Sequence, residues 1–196
     1  MNRFLACLTG GAMLACAGAA QATELRAGVL YHDFGGLDAG ISGKEESVAI
    51  TASVVSDKVR ALPLMPAFEL GGDLNFGGAT SFLWFGSVLR LDFGTGDRFY
   101  FEYAPGLAIH DGELEIDDLE PGLTAEEAAR RVFGNANNIE YGSRILFRNA
   151  LGFGYRFTDQ VAGEAYFEHF SHGKILSSRS NEGVDILGLR VSYTLD

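Results

Sequence analysis

The sequence predicts an all-β fold: an eight-stranded antiparallel transmembrane β-barrel over residues 23–196, preceded by a signal peptide over 1–22. Three observations predict it. Segments in which apolar and polar residues alternate recur along the chain, each long enough to cross a bilayer as a tilted strand. The connections between them tend to alternate between long and short. Beyond residue 22 no apolar run is long enough for a membrane helix.

Taken in order, the chain opens with the basic residue Arg3, an apolar run over Phe4–Ala17 rich in Gly and Ala, and Ala20-Gln21-Ala22. That is the layout of an export signal cleaved after Ala22. A lipoprotein signal ending at Cys16 is the alternative, and Leu14 fits it poorly. Both cysteines, Cys7 and Cys16, fall inside this leader. The exported chain then has no disulfide, thiolate nucleophile or cysteine metal site, and its core or a membrane must hold it together.

The expected strands are 25–34, 46–56, 66–77, 80–94, 97–110, 139–157, 160–172 and 184–195. Strand side chains alternate between faces, so each segment can be tested for two-sidedness. In 80–94, Leu83, Phe85, Leu89, Leu91 and Phe93 oppose Arg90 and Asp92. In 97–110, Phe99, Phe101, Tyr103, Leu107 and Ile109 oppose Arg98 and Glu102. In 139–157, Ile145, Phe147, Leu151, Phe153 and Tyr155 oppose Glu140, Arg144, Arg148 and Arg156. Pro105 removes a ladder donor, which predicts a bulge or an early end to the fifth strand.

A soluble sandwich or lipocalin-type barrel would share this alternation but bury the apolar face. Loop lengths separate the two. Connections 35–45, 111–138 and 173–183 are long, whereas 95–96 and 158–159 are tight turns. Long loops at one end and short turns at the other are the layout of an outer-membrane barrel with periplasmic termini. Eight strands leave a lumen that side chains fill, here with Glu–Arg pairs. Within 111–138, Thr124-Ala-Glu-Glu127 is a capping box that starts a helix reaching about Phe133. The acidic run Glu113, Glu115, Asp117, Asp118 and Glu120 reads as a solvated loop, with a cation site bridging to lipid phosphates as the sharper alternative.

The net charge of −11 excludes nucleic acid as a partner by simple electrostatics, and loss of Arg3 with the leader makes it more negative. Nothing is spaced for a zinc site, which needs three or four converging ligands, and no cofactor is implied.

The chemistry is concentrated in 161–185. His169 and Ser171, two apart, share one strand face, and Val161, Ala165 and Phe167 on that face are apolar; Glu164, Tyr166 and Glu168 occupy the other. A base and a hydroxyl on the apolar face suit a lipid substrate. A hairpin symmetric about residue 178 would set Ser171 opposite Asp185 and His169 opposite Leu187, with Asp185 diagonal to the histidine. The set can support nucleophilic catalysis: Ser171 attacks, His169 carries the proton, Asp185 orients the ring. Backbone N–H groups around His172-Gly173 and the side chain of Asn181 are candidate oxyanion donors. By parity His172 points inward, as do His32 and His110.

His169-Phe170-Ser171 followed by Asn181-Glu182-Gly183-Val184-Asp185 resembles the outer-membrane lipid A 3-O-deacylase family, the PagL type. The resemblance implies a Gram-negative outer-membrane enzyme that hydrolyses the ester holding a 3-hydroxyacyl chain on the lipid A of lipopolysaccharide. It implies Ser171 as nucleophile, His169 as base, Asp185 as orienting acid, and Asn181 with the residues after Ser171 as the oxyanion hole. Two positions depart from the pattern: aspartate stands at 185 where glutamate is common, and His172 follows the serine where asparagine is common. A non-catalytic small barrel, acting as adhesin, lipid binder or structural protein, is the alternative reading.

Overall fold

Eight antiparallel strands close into one barrel in chain order, β8 pairing back onto β1. The computed structural model describes residues 22–35 and 43–195. The strands are β1 (Ala22–His32), β2 (Ser47–Ser56), β3 (Ala67–Asn75), β4 (Phe82–Phe93), β5 (Phe99–His110), β6 (Ile145–Arg156), β7 (Val161–Ser171) and β8 (Val184–Thr194). One helix, α1 (Ala125–Asn137), sits in the β5–β6 connection. The expected leader, its cleavage after Ala22 and the Cys16 alternative lie outside the described residues, except that β1 begins at Ala22 itself.

The alternation in the sequence becomes the two faces of the wall. Leu91, Leu107, Leu151, Leu189 and Val191 are exposed on the outside, where the lipid of the outer membrane supplies their apolar surroundings. Inside, charge occupies the half nearer the termini. Arg26 meets Glu102 through two parallel contacts of 2.6 and 2.8 Å, and Arg190 reaches Glu102 at 2.8 Å and Glu164 at 2.6 Å. Arg148 bridges Glu69 and Glu168 while its guanidinium lies over Trp84. An isolated buried charge would be costly, so the network exists only because each member is paired. Toward the other end the lumen is aromatic and apolar: Phe82 stacks on Phe170 at 4.2 Å, beside Tyr141, Ile139, Leu146 and Ile186. The lumen is filled, as expected for eight strands.

Two sequence expectations change. At Pro105 the fifth strand neither ends nor bulges. Register with β4 is the same on both sides (Gly86↔Gly106, Leu89↔Tyr103), with unpaired positions between, and pairing with β6 continues through Pro105↔Asn149. The Pro105 carbonyl faces Gly86 closely, so the missing N–H interrupts the β4 side alone. In the β5–β6 connection, α1 starts at the expected capping box, with the Thr124 hydroxyl accepting from Glu127 N–H, but runs to Asn137 rather than Phe133. Residues 139–144, expected in strand six, precede it as a loop that buries Ile139 and Tyr141 in the barrel mouth.

Candidate active site

β7 and β8 place the site at the end of the barrel opposite both termini. Their register pairs His169 with Asp185 and Phe167 with Leu187. This corrects the expected register by two residues: Asp185 is directly across from His169 rather than from Ser171. The hairpin is not symmetric about 178 because the turn after β7 is built from Gly173 (φ +59°) and Lys174 (φ +58°), with Ile175 N–H donating to the His172 carbonyl. A left-handed pair immediately after His172 turns the chain sharply, and at its first position glycine supplies that backbone at no steric cost.

Three side chains form one relay on the outer wall. The Asp185 carboxylate accepts from His169 Nδ1 at 2.7 Å, and His169 Nε2 lies 3.0 Å from Ser171 Oγ. With Nδ1–H held by the carboxylate, the Nε2 lone pair points at the serine hydroxyl, which donates to it. Asp185 is 2 % exposed although its position faces outward, whereas the His169 side chain is 30 % exposed. Phe34, beyond the end of β1, sits beside the acid: its N–H donates to the Asp185 carbonyl at 3.1 Å and its ring packs edge-on against Phe167. The acid is shielded and the base stays open to the lipid side.

The candidate oxyanion residues divide. The His172 N–H donates to Asn181 Oδ1 at 2.8 Å, so that hydrogen is committed. The His172 ring points into the barrel mouth, fully buried, donating from Nε2 to the Ser180 carbonyl at 2.8 Å and accepting from Lys174 N–H at Nδ1. It is a fastener for the turn. What remains near Ser171 is the Gly173 N–H and the Asn181 Nδ2 amide, neither with a partner among the described residues.

The loops that hold this turn were not legible from the sequence. Glu182 accepts from Glu140 N–H at 2.7 Å and from Lys44 Nζ at 2.7 Å, tying three loops together beside Asp185. Asp33 accepts from the N–H groups of Gly43, Lys44 and Glu45, and Glu45 accepts from those of Thr80 and Ile139. Gly142 (φ +67°) is required where the 139–144 loop crosses the β7–β8 turn, since an added Cβ would sit 1.9 Å from the Ser180 carbonyl oxygen. In the 111–144 loop, burial and the nearby carboxylates of Glu182, Glu115 and Asp118 push the Glu140 carboxyl above its ordinary value. His32 and His110, which had no evident partner in the sequence, face the Glu45 and Ser143 carbonyls. The acidic run is met by arginines, Glu115 with Arg179 at 3.2 Å and Asp117 and Glu120 with Arg131 at 3.8 Å. Among the described residues no three His, Cys, Asp or Glu side chains converge as metal ligands.

Below the relay an apolar groove of about 760 Å³ runs down the outer wall across β5, β6 and β7. Phe101, Tyr103, Leu151, Phe153, Ala165 and Phe167 line it, Ala165 being the smallest of these side chains. Its upper end at Phe167 is one outward position from His169.

The barrel has counterparts among known structures. The crystal structure of the outer-membrane enzyme PagL superposes with a TM-score of 0.56 at 15% identity, covering 88% of this chain and 99% of that one. Neisserial surface protein A superposes with a TM-score of 0.52 at 12% identity, covering 88% and 96%. At such identities the likeness is one of fold. No curated protein matches the sequence. The family described as lipid A 3-O-deacylase (PagL) matches over residues 68–194, which takes in β3 to β8 and the whole relay. The chain belongs to the PagL family of outer-membrane lipid A deacylases.

Proposed function

We propose that this chain hydrolyses the ester that joins a 3-hydroxyacyl chain to the 3-position of lipid A, using Ser171, His169 and Asp185. The observation that carries the reading is the unbroken Asp185–His169–Ser171 relay on a lipid-facing wall. A substrate diffusing within the outer leaflet reaches such a wall laterally, and its acyl chain meets the groove beneath Phe167.

The proposed steps use that relay. Ser171 Oγ attacks the ester carbonyl carbon as His169 Nε2 takes the hydroxyl proton, and the carboxylate of Asp185 stabilises the imidazolium. The oxyanion is held by the Gly173 N–H and the Asn181 amide. Collapse breaks the bond to the sugar oxygen, which leaves with the proton from Nε2. Water, deprotonated by the same nitrogen, then attacks the acyl-serine, releasing the 3-hydroxy fatty acid and restoring Ser171.

The test is covalent labelling of the folded barrel in detergent with a serine-directed fluorophosphonate. The wild-type chain is expected to label at Ser171, and Ser171→Ala or His169→Ala to lose the label. A wild-type barrel that folds but does not label at Ser171 would support a non-catalytic lipid binder instead.

A further inference from the structure

The lipid-facing wall carries a polar pair where the alternation calls for apolar side chains. Asn149 on β6 and Tyr103 on β5 both point outward, and the Tyr103 hydroxyl donates to Asn149 Oδ1 at 2.9 Å. Their neighbours on that face are Phe101, Leu107, Phe147, Leu151 and Phe153. Asn149 is exposed, and its Nδ2 hydrogens have no partner among the described residues. In a hydrocarbon environment an unmet amide donor is costly, and polar groups kept at such positions mark function.

The position is specific. The β6–β7 register sets Asn149 directly across from His169, so its Cβ is about 5 Å from that of the base. Pro105 stands opposite Asn149 on the other side, and its compact ring leaves room for Tyr103, one outward position lower, to reach up. Tyr103 also lines the groove, so the pair sits where a chain esterified at Ser171 passes downward into apolar surroundings. A 3-hydroxyacyl chain carries its hydroxyl two carbons beyond the ester carbonyl, at that entrance.

We infer that Asn149, oriented by Tyr103, binds the 3-hydroxyl of the departing acyl chain and selects hydroxylated over plain acyl esters. Asn149 Nδ2 donates to the hydroxyl oxygen, and Tyr103 fixes the amide by holding its carbonyl end. This inference rests on the esterase reading above. A site that hydrogen-bonds a substrate hydroxyl discriminates strongly against the analogue that lacks it, because its own donor is then left unmet.

The experiment compares two synthetic lipid A substrates differing only in a 3-O-(3-hydroxymyristoyl) or 3-O-myristoyl chain, with the full-length barrel in detergent micelles. Wild type is expected to favour the hydroxylated ester in kcat/KM by roughly tenfold to a hundredfold. Asn149→Leu should lose that factor on the hydroxylated ester alone, leaving the plain ester within about twofold, and the milder Tyr103→Phe should lose part of it. Equal hydrolysis of both esters by wild type would overturn the inference, as would a loss in Asn149→Leu that is equal on both. Competition binding of the two esters to Ser171→Ala separates the two proposals. A preference for the hydroxylated ester there upholds selection by Asn149 even if wild type cleaves neither, and the absence of any preference overturns it.

Discussion

Asp185 stands directly across the β7–β8 ladder from His169, and its carboxylate reaches the Nδ1 nitrogen at 2.7 Å. The register makes the shorter acid sufficient. A glutamate at 185 would project a methylene further from a backbone already at cross-strand distance, so the aspartate is matched to its own hairpin.

Asp185→Asn is therefore expected to lower kcat by about 10³–10⁴ with little change in KM, because the amide no longer fixes the tautomer that leaves Nε2 basic. Asp185→Glu is expected to retain more activity than Asp185→Asn but less than wild type. Steady-state kinetics on micellar lipid A checks both, and a fully active Asp185→Asn chain would remove the acid from the mechanism.

In the proposed mechanism Asn181 serves the turn and the oxyanion together. Its Oδ1 holds the His172 N–H at 2.8 Å, next in the chain to Ser171, and its Nδ2 has no partner among the described residues. Asn181→Ala should lower kcat by about 10²–10³, the cost typical of losing one oxyanion donor. Asn181→Asp, which keeps the acceptor and removes the donor, should keep the fold and lose a similar factor. If Asn181→Asp is as active as wild type, the Gly173 N–H acts without it.

Ala165 lines the groove below the relay with a side chain of a single methyl group. Ala165→Phe should block long tails while sparing the relay, so kcat/KM for a fourteen-carbon chain should fall at least about tenfold relative to that for a six-carbon chain, the loss of several buried methylenes. A chain-length series measured on both barrels reads this out, and an unchanged profile would mean the acyl chain runs elsewhere.

Glu102 serves Arg26, Arg90 and Arg190 at once in the lumen. Glu102→Ala leaves these three guanidinium groups one shared carboxylate short, with Glu24, Glu69 and Glu164 still paired to them, and should destabilise the barrel by about 3 kcal/mol. Glu102 lies toward the termini and the relay toward the other end, so kcat of the folded fraction should be unchanged. Urea unfolding in detergent, followed by the gel-mobility difference between folded and unfolded barrel, measures the first.

The helix cap has a pH signature. The Thr124 hydroxyl and N–H together hold the Glu127 carboxylate, lowering its pKa below the ordinary 4.5. A carboxylate whose folded value is depressed stabilises above the unfolded value and loses that contribution as pH falls through the folded one. Hydrogen exchange at Glu126–Ala128 should therefore quicken, relative to the rest of α1, below about pH 4.5, and Thr124→Ala should abolish the pH dependence.

Much of this architecture was legible in the sequence because it follows from a period of two. The alternation separated Leu89 and Leu91 from Arg90, and placed His169 and Ser171 on one face, before any pairing was known. The register was less accessible. The position of Asp185 depends on how many residues the turn after Ser171 consumes, and the left-handed geometry of Gly173 and Lys174 is a tertiary outcome. The local signal at Asn149 is only a polar residue on the apolar face of its strand. The residue matters only because β6 brings it level with His169, a relationship that exists between strands and not along one. The fasteners Asp33, Glu45 and Glu182 were hidden for the same reason: each is a single acid whose partners, mostly backbone amides, lie ten or more residues away in the chain.

The central claim, that Ser171 removes an ester-linked acyl chain from lipid A, is tested most directly by mass spectrometry of lipid A from a Gram-negative host expressing the chain or its Ser171→Ala variant. The prediction is loss of one 3-hydroxyacyl group with the wild-type chain and intact lipid A with the variant. Identical spectra from the two, with both barrels folded in the outer membrane and the purified wild type also inactive in detergent, would contradict it.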